Sequence, residues 1–280
     1  MIDKGGTMVK LLTINSHSWM EEDPQKKLEI LGKTILENDY DVICVQEVNQ
    51  LLHSEPAKDL PNYCQVAGTP AIHKDNYALQ LVTFLLEQER VYYWSWAYNH
   101  IGYDRFQEGV AILSKTPLVS QGILISDVDD EHNYHTRRAL LGKTKIDQED
   151  IAIVSLHMSW WNKGFQGEWN KLERALSNLK LPLLLMGDFN NPYENEGYQA
   201  ILKSSLKLQD SHQSAKITYG KATIQKEIDG WQGNQEALKV DYVFLSSDWQ
   251  VEKSEVIFDG KHYPMISDHC GLACQANLNK

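Results

Sequence analysis

Polar residues able to hold a hard cation or move a proton stand at the ends of apolar runs throughout this chain. Leu11-Leu12-Thr13-Ile14 ends in Asn15, and Val42-Ile43-Cys44-Val45-Gln46 ends in Glu47. His157 follows the run from Ile151 to Leu156, and Gly187-Asp188-Phe189-Asn190 follows the run from Pro182 to Met186. Near the C-terminus Asp241 opens Tyr242-Val243-Phe244-Leu245, with Ser267-Asp268-His269 beyond it. Buried strands favour Val, Ile and Leu, so Asn, Glu, Asp and His at their ends need a functional reason. Recurrence of the pattern along one chain points to strands converging on a hydrated metal and a phosphate.

The residue types divide the work. Glu47 and Asp268 offer the carboxylate oxygens that Mg2+ prefers, Asn15 adds a neutral oxygen, and Mn2+ is the alternative ion. His269 can donate to a phosphoryl oxygen or take a proton from water, since imidazole titrates near neutrality. Gly187 lets the backbone turn sharply, Asp188 can polarise an attacking water, and the Asn190 amide can donate to a phosphoryl oxygen as charge develops. Arg137 and Arg138 precede an apolar strand, and a guanidinium fork suits phosphate. Strand neighbours face opposite ways, so only one of the two is expected to reach the site, and Arg138 is preferred.

The order Asn15, Gln46-Glu47, His157 after a strand, Gly187-Asp188-Phe189-Asn190, Asp241-Tyr242 and Ser267-Asp268-His269 resembles the endonuclease/exonuclease/phosphatase superfamily over residues 11–272. That group includes DNase I-like nucleases, neutral sphingomyelinases, inositol phosphatases and deadenylases. Asn15-Ser16-His17-Ser18-Trp19 and Gln46-Glu47-Val48-Asn49-Gln50 are similar to one branch, the bacterial maltose 6'-phosphate phosphatases. The resemblance implies a four-layered α/β sandwich of two packed, mostly antiparallel sheets flanked by helices, and metal-dependent phosphoester hydrolysis. It further implies that Asp241 orients His269, that His157 contacts the scissile phosphate, and that Glu108 orients His157.

Strands are expected at 10–14, 42–46, 79–86, 109–113, 140–145, 151–156, 183–186, 242–245 and 251–257. Helical spacing occurs at 24–38, 168–179 and 197–204. Irregular alternation of many strands with few helices suits two sheets packed face to face with helices outside. Residues 213–238, rich in Gly, Lys and Gln, read as a long surface excursion able to shape specificity. Residues 1–8 read as a disordered lead-in, and 9–280 as a single domain.

Composition narrows the substrate. A chain of 280 residues with 42% hydrophobic and 23% charged residues is an ordinary globular protein able to bury one large core. A net charge of −11 disfavours a grip on nucleic acid, whose affinity rests on cationic contacts to phosphates. No run reaches the roughly 20 apolar residues that span a bilayer, and the N-terminus lacks a signal-peptide core. The four cysteines form neither a disulfide framework nor a metal-ligand spacing, with Cys44 a reduced packing residue. A cytosolic enzyme without membrane or obligate protein partner is expected. Trp and Tyr outnumber Phe, 8 and 13 against 6. Trp160 and Trp161 after His157, and Trp231 in the excursion, are therefore expected as flat, polar-edged platforms for a sugar, while Trp94 and Trp96 are assigned to the core. A phosphorylated sugar, maltose 6'-phosphate foremost, is the expected substrate; phosphodiester cleavage in nucleic acid is the alternative.

Overall fold

Successive residues of the apolar strands bury on opposite faces, and both faces are covered. In a computed structural model, which describes residues 8–279, the chain runs through β1 (Met8–Asn15), α1 (Pro24–Asn38), β2 (Val42–Leu51), α2 (Tyr77–Glu87), β3 (Tyr93–Gly102) and β4 (Phe106–Ser114). It continues through β5 (Val119–Leu124), β6 (Arg138–Ile146), β7 (Glu149–His157), α3 (Phe165–Leu176), β8 (Leu183–Asp188) and α4 (Glu196–Leu202). The last elements are β9 (Leu208–Asp210), α5 (Ser211–Ser214), β10 (Ile217–Tyr219), β11 (Asp241–Ser246), β12 (Trp249–Ile257) and β13 (Gly271–Leu278). Of the expected lead-in, residues 1–7 lie outside the described residues, and Met8 begins β1.

Among the described residues a seven-stranded sheet has the order β10-β12-β13-β1-β2-β4-β3, and a six-stranded one the order β5-β6-β7-β8-β11-β9. Both are mixed; β1–β2, β7–β8 and β10–β12 pair in parallel and the other named strand pairs are antiparallel. Three apolar clusters fill the spaces between four layers. Leu11, Cys44, Ile112, Ile153, Leu184 and Met186 meet between the sheets. Their neighbours Leu12, Ile43 and Leu113 turn outward onto α1 and α2, and Val154, Leu183 and Leu185 onto α3 and α4. Period-two alternation inside wholly apolar runs thus serves two interfaces at once, which is why these strands lack an amphipathic pattern.

One expected strand is a helix. Residues 79–86 lie in α2, where the Asn76 side chain accepts hydrogen bonds from Ala78 N and Leu79 N and caps the first turn. The run is apolar on nearly all sides because α2 is itself largely buried, and periodicity cannot separate such a helix from a buried strand. Strands β3, β5, β9, β10 and β13 lay outside the expected set, β10 within the segment read as a surface excursion. β13 reads Gly-Leu-Ala-Cys-Gln-Ala-Asn-Leu, weak in β-branched residues, and gains its strand from pairing with β1 and β12 on its two sides. Trp94 and Trp96 are fully buried.

Candidate active site

Strand register assembles the site. Parallel pairing of β7 with β8 sets His157 beside Asp188, and antiparallel pairing of β8 with β11 sets Asp241 on the other side of Asp188. In the facing sheet Asn15 ends β1 beside Gln46 of β2. The register of β2 against β4 then shifts between Val45 and Val48, and Glu47 takes a left-handed backbone with φ 53°. A bulge of this kind re-aims one side chain, and here it lies within β2, which continues to Leu51, so Glu47 is a mid-strand acid and not the strand end expected from sequence. Gly187, at φ 153°, is demanded by close approach, since a Cβ there would lie 2.0 Å from the Leu156 carbonyl oxygen.

Three groups converge on one oxygen of Asp188. His157 Nε2 lies 3.6 Å and His269 Nε2 3.7 Å from Asp188 Oδ2, and Asn15 Nδ2 donates to it at 3.1 Å. The other Asp188 oxygen accepts from Asn190 N at 2.8 Å. His269 Nδ1 is bonded to Asp241 Oδ2 at 2.9 Å, which orients the ring with Nε2 toward Asp188. Asp241 is anchored in turn by Thr223, whose Oγ1 accepts from Val240 N and Asp241 N.

Burial sets the charges. It raises the Asp188 carboxyl, helped by the neighbouring Asp241 charge, to about 7. It opposes the His269 imidazolium, yet the Asp241 and Asp188 carboxylates prevail and lift that ring to about 10. At His157 burial has no such opponent, and Arg137 and His269 add to it, so this ring is held neutral, well below the usual histidine range. Two histidines beside one carboxylate are therefore tuned in opposite directions, the arrangement that divides donor and acceptor roles.

These groups form one end of a cavity of about 380 Å³, a volume proper to a small-molecule site. Its walls carry the aromatic faces of Tyr103, Tyr134 and Trp160, the cations Arg137 and Lys163, and the carboxyls Glu108 and Asp229. Lys163 Nζ sits 4.5 Å over the Trp160 ring.

Of the residues singled out from sequence, Glu47, His157, Trp160, Asp188, Asn190, Asp268 and His269 line this cavity, with Asp241 immediately behind. Several others stand differently. The arginine in the wall is Arg137, not Arg138. Arg138 Nη1 donates to the Tyr98 and Asn99 carbonyls of β3 and its Nη2 pairs with Asp129, so that side chain ties the two sheets together. Arg137 is 3% exposed, with Nε and Nη1 buried and without hydrogen-bond partners. Trp161 is not a platform: it packs on the outer core against Phe165, because the chain turns between the two tryptophans. Trp231 reaches the site by one hydrogen bond, from Nε1 to Asn190 Oδ1 at 3.0 Å. Asn190 Nδ2 meanwhile donates to the Met158 carbonyl, so that amide is a brace with limited freedom to serve a phosphate. Asn15 turns its nitrogen to Glu47 and Asp188, while its Oδ1 accepts from His17 N, so it bridges the two acids. Glu108 faces His100 Nε2 at 3.4 Å; His157 Nδ1 has Glu47 at 4.0 Å instead. Tyr103, Lys163 and Asp229 were not among the expected residues, because they lie on connections whose course no local pattern reveals.

The donor chemistry fits a hard cation. Burial drives the Glu47 carboxyl up, and the nearby Asp268 charge adds to that push, so a divalent ion between these carboxylates would relieve both. Glu21 lies alongside but is committed to His17 and Lys27. Glu47 and Asp268 are the residues that would hold the ion.

Two sheets meet at an acid–histidine cluster, with the Glu47 and Asp268 carboxylates beside it. The chain belongs to the Endonuclease/Exonuclease/phosphatase family, whose model matches residues 19–269. This is a family of hydrolytic phosphoesterases whose enzymes generally use a divalent metal. An endonuclease/exonuclease/phosphatase family protein from Leptotrichia buccalis C-1013-b is 29% identical, with a TM-score of 0.83 over 96% of this chain and 100% of that one. A mannosyl-6-phosphatase from Bacteroides thetaiotaomicron VPI-5482 is similar in fold at 16% identity, with a TM-score of 0.66 over 96% of this chain and 99% of the other. The catalytic domain of human Nocturnin, with bound sulfate, has a TM-score of 0.67 at 16% identity, covering 97% and 94% of the two chains. No curated protein matches the chain.

Proposed function

We propose that the protein is a divalent-metal-dependent phosphomonoesterase of a phosphorylated sugar, with maltose 6'-phosphate the leading substrate. The observation that carries this reading is the cavity itself. One end holds the acid–histidine cluster, and the walls alternate flat aromatic faces with hydrogen-bonding side chains, a surface matched to a sugar ring and its hydroxyls. The cations of the wall are Arg137, Lys163 and the His269 imidazolium, set among Glu47, Glu108, Asp188, Asp229 and Asp268, and this mixed lining is unlike the extended cationic surface that grips the running phosphates of a nucleic acid. The Bacteroides mannosyl-6-phosphatase shares the fold at 16% identity, which leaves the substrate to be argued from this pocket.

In the proposed reaction Arg137, in the cavity wall, offers its guanidinium to a phosphoryl oxygen. Asp188 orients the attacking water. Asp241 holds His269 Nδ1, so Nε2 is the atom offered to the phosphoryl group as charge develops, and neutral His157 meets it from the other side. A divalent ion held by Glu47 and Asp268 would supply Lewis-acid stabilisation of that charge. Trp160, in the cavity wall, is placed to touch the sugar.

The test is release of inorganic phosphate from a panel of sugar phosphates including maltose 6'-phosphate, with Mg2+ and with chelator, beside wells of plasmid and single-stranded DNA. Chelator-sensitive release from a phosphorylated disaccharide with DNA left intact is expected. Nicking of DNA without phosphate release overturns the reading.

A further inference from the structure

Residues Ile228 to Gln232, within the long excursion before β11, touch both sheets across the mouth of the cavity. On one side the Tyr103 hydroxyl, at the tip of the β3–β4 hairpin, donates to Asp229 Oδ2. On the other, Trp231 Nε1 donates to Asn190 Oδ1 at 3.0 Å, just beyond β8. Between these anchors Gly230 packs against Trp160: a Cβ there would be 2.5 Å from the ring, and its φ of +79° suits glycine. Gln232 Nε2 braces Asp229 from within the segment at 3.1 Å, and Asp229, Gly230 and Gln232 all line the cavity. β3 and β4 belong to one sheet and β8 to the other, so the segment spans the gap between the sheets beside the acid–histidine end.

The consequence concerns how many substituents a phosphate can carry there. A phosphodiester has two organic arms leaving phosphorus, and each needs a way out of the site. A monoester has one arm, and its remaining oxygens face protein donors. A strap pinned to Asn190, and so standing next to the groups that would surround phosphorus, removes the room a second arm would occupy. It also places the Asp229 carboxyl and the Gln232 amide where the hydroxyls of the single retained arm would lie. We infer that the 228–232 strap, pinned by Tyr103–Asp229 and Trp231–Asn190, is the element that restricts this site to phosphate monoesters. The inference rests on the phosphomonoesterase reading and names its structural cause.

The experiment compares kcat/KM for p-nitrophenyl phosphate and methyl p-nitrophenyl phosphate, with Mg2+, in the full-length protein and in two variants. Tyr103→Phe removes one pin at an exposed residue and keeps the ring. Tyr103→Phe combined with Asp229→Ala removes the pin and the carboxyl from the cavity wall. The diester-to-monoester ratio is expected to rise about tenfold or more in the double variant and in the same direction, by less, in Tyr103→Phe, with unchanged melting temperature for the latter. An unchanged ratio in both variants, in a protein that hydrolyses the monoester, overturns the strap and leaves the phosphomonoesterase reading standing. A wild-type protein that cleaves the diester and not the monoester overturns the reading itself, and the strap with it.

Discussion

Replacing Arg137 by Met is expected to stabilise the protein while crippling its hold on phosphate. The guanidinium is buried to 3% exposure and leaves Nε and Nη1 without partners. No carboxylate forms a salt bridge with it among the described residues, and burial, with the Glu47 charge, pushes Glu108 in the same wall up to about 8, so that acid is mostly neutral at pH 7. An unsatisfied buried polar group costs about 1–3 kcal/mol, and Met fills similar space without that cost. A gain of about 1 kcal/mol corresponds to about 2–4 °C in melting temperature for a domain of this size. Phosphate binding moves the other way. One lost charge-assisted hydrogen bond, worth about 1.5–3 kcal/mol, weakens affinity roughly 10- to 150-fold. Calorimetric titration with inorganic phosphate and Mg2+, beside differential scanning calorimetry of the unliganded protein, reads both. A variant that melts lower than the wild type, or binds phosphate equally well, refutes the assignment of Arg137 as a donor held ready for an anion.

Three further expectations probe separate parts of the site and its support. Glu47→Gln should weaken Mg2+ binding by an order of magnitude or more in a direct titration, with activity falling in parallel; unchanged affinity removes Glu47 from the metal site. Asp241→Asn should leave the fold intact and lower kcat roughly 10³- to 10⁴-fold, because the neutral amide removes the charge that keeps the proton on His269 Nδ1; near wild-type turnover would show that another group sets the imidazole. Lys239 Nζ bonds both Asp210 oxygens at 2.9 Å in a fully buried pair, so Lys239→Met strands a buried carboxylate and should cost about 3–5 kcal/mol in urea denaturation, and a loss below about 1 kcal/mol would mean that water reaches Asp210.

The apolar runs and the polar residues ending them were legible in sequence because both obey local rules. β1, β2, β4, β6, β7, β8, β11 and β12 begin or end within a few residues of the expected runs, and the polar ends of β1, β7, β8 and β11 do converge with Glu47 at the β2 bulge. Residues 79–86 failed the same rule, because an apolar run buried on most sides carries no period to read and only the Asn76 cap marks it as a helix. For the two arginines the pleat argument holds: one of them enters the cavity and the other does not. Which one depends on where β6 begins, and it begins at Arg138, whose side chain crosses to β3.

The sequence by itself determined the chemical inventory and its order, since carboxylates, imidazoles and amides at strand ends bear their function in their type. Many strands with few helices also pointed to two sheets packed face to face with helices outside, and the resemblance carried by those motifs implied the four layers. Tertiary structure alone decided which residues share the cavity: Trp160 but not Trp161, Glu108 beside His100 and not His157, and Asn15 as a bridge with its nitrogen inward. It alone brought Asp229 to Tyr103, 126 positions away in the chain. The physical reason is that strand alternation and turns act between neighbours, whereas the course of a long connection is set by whatever distant surface it comes to rest on.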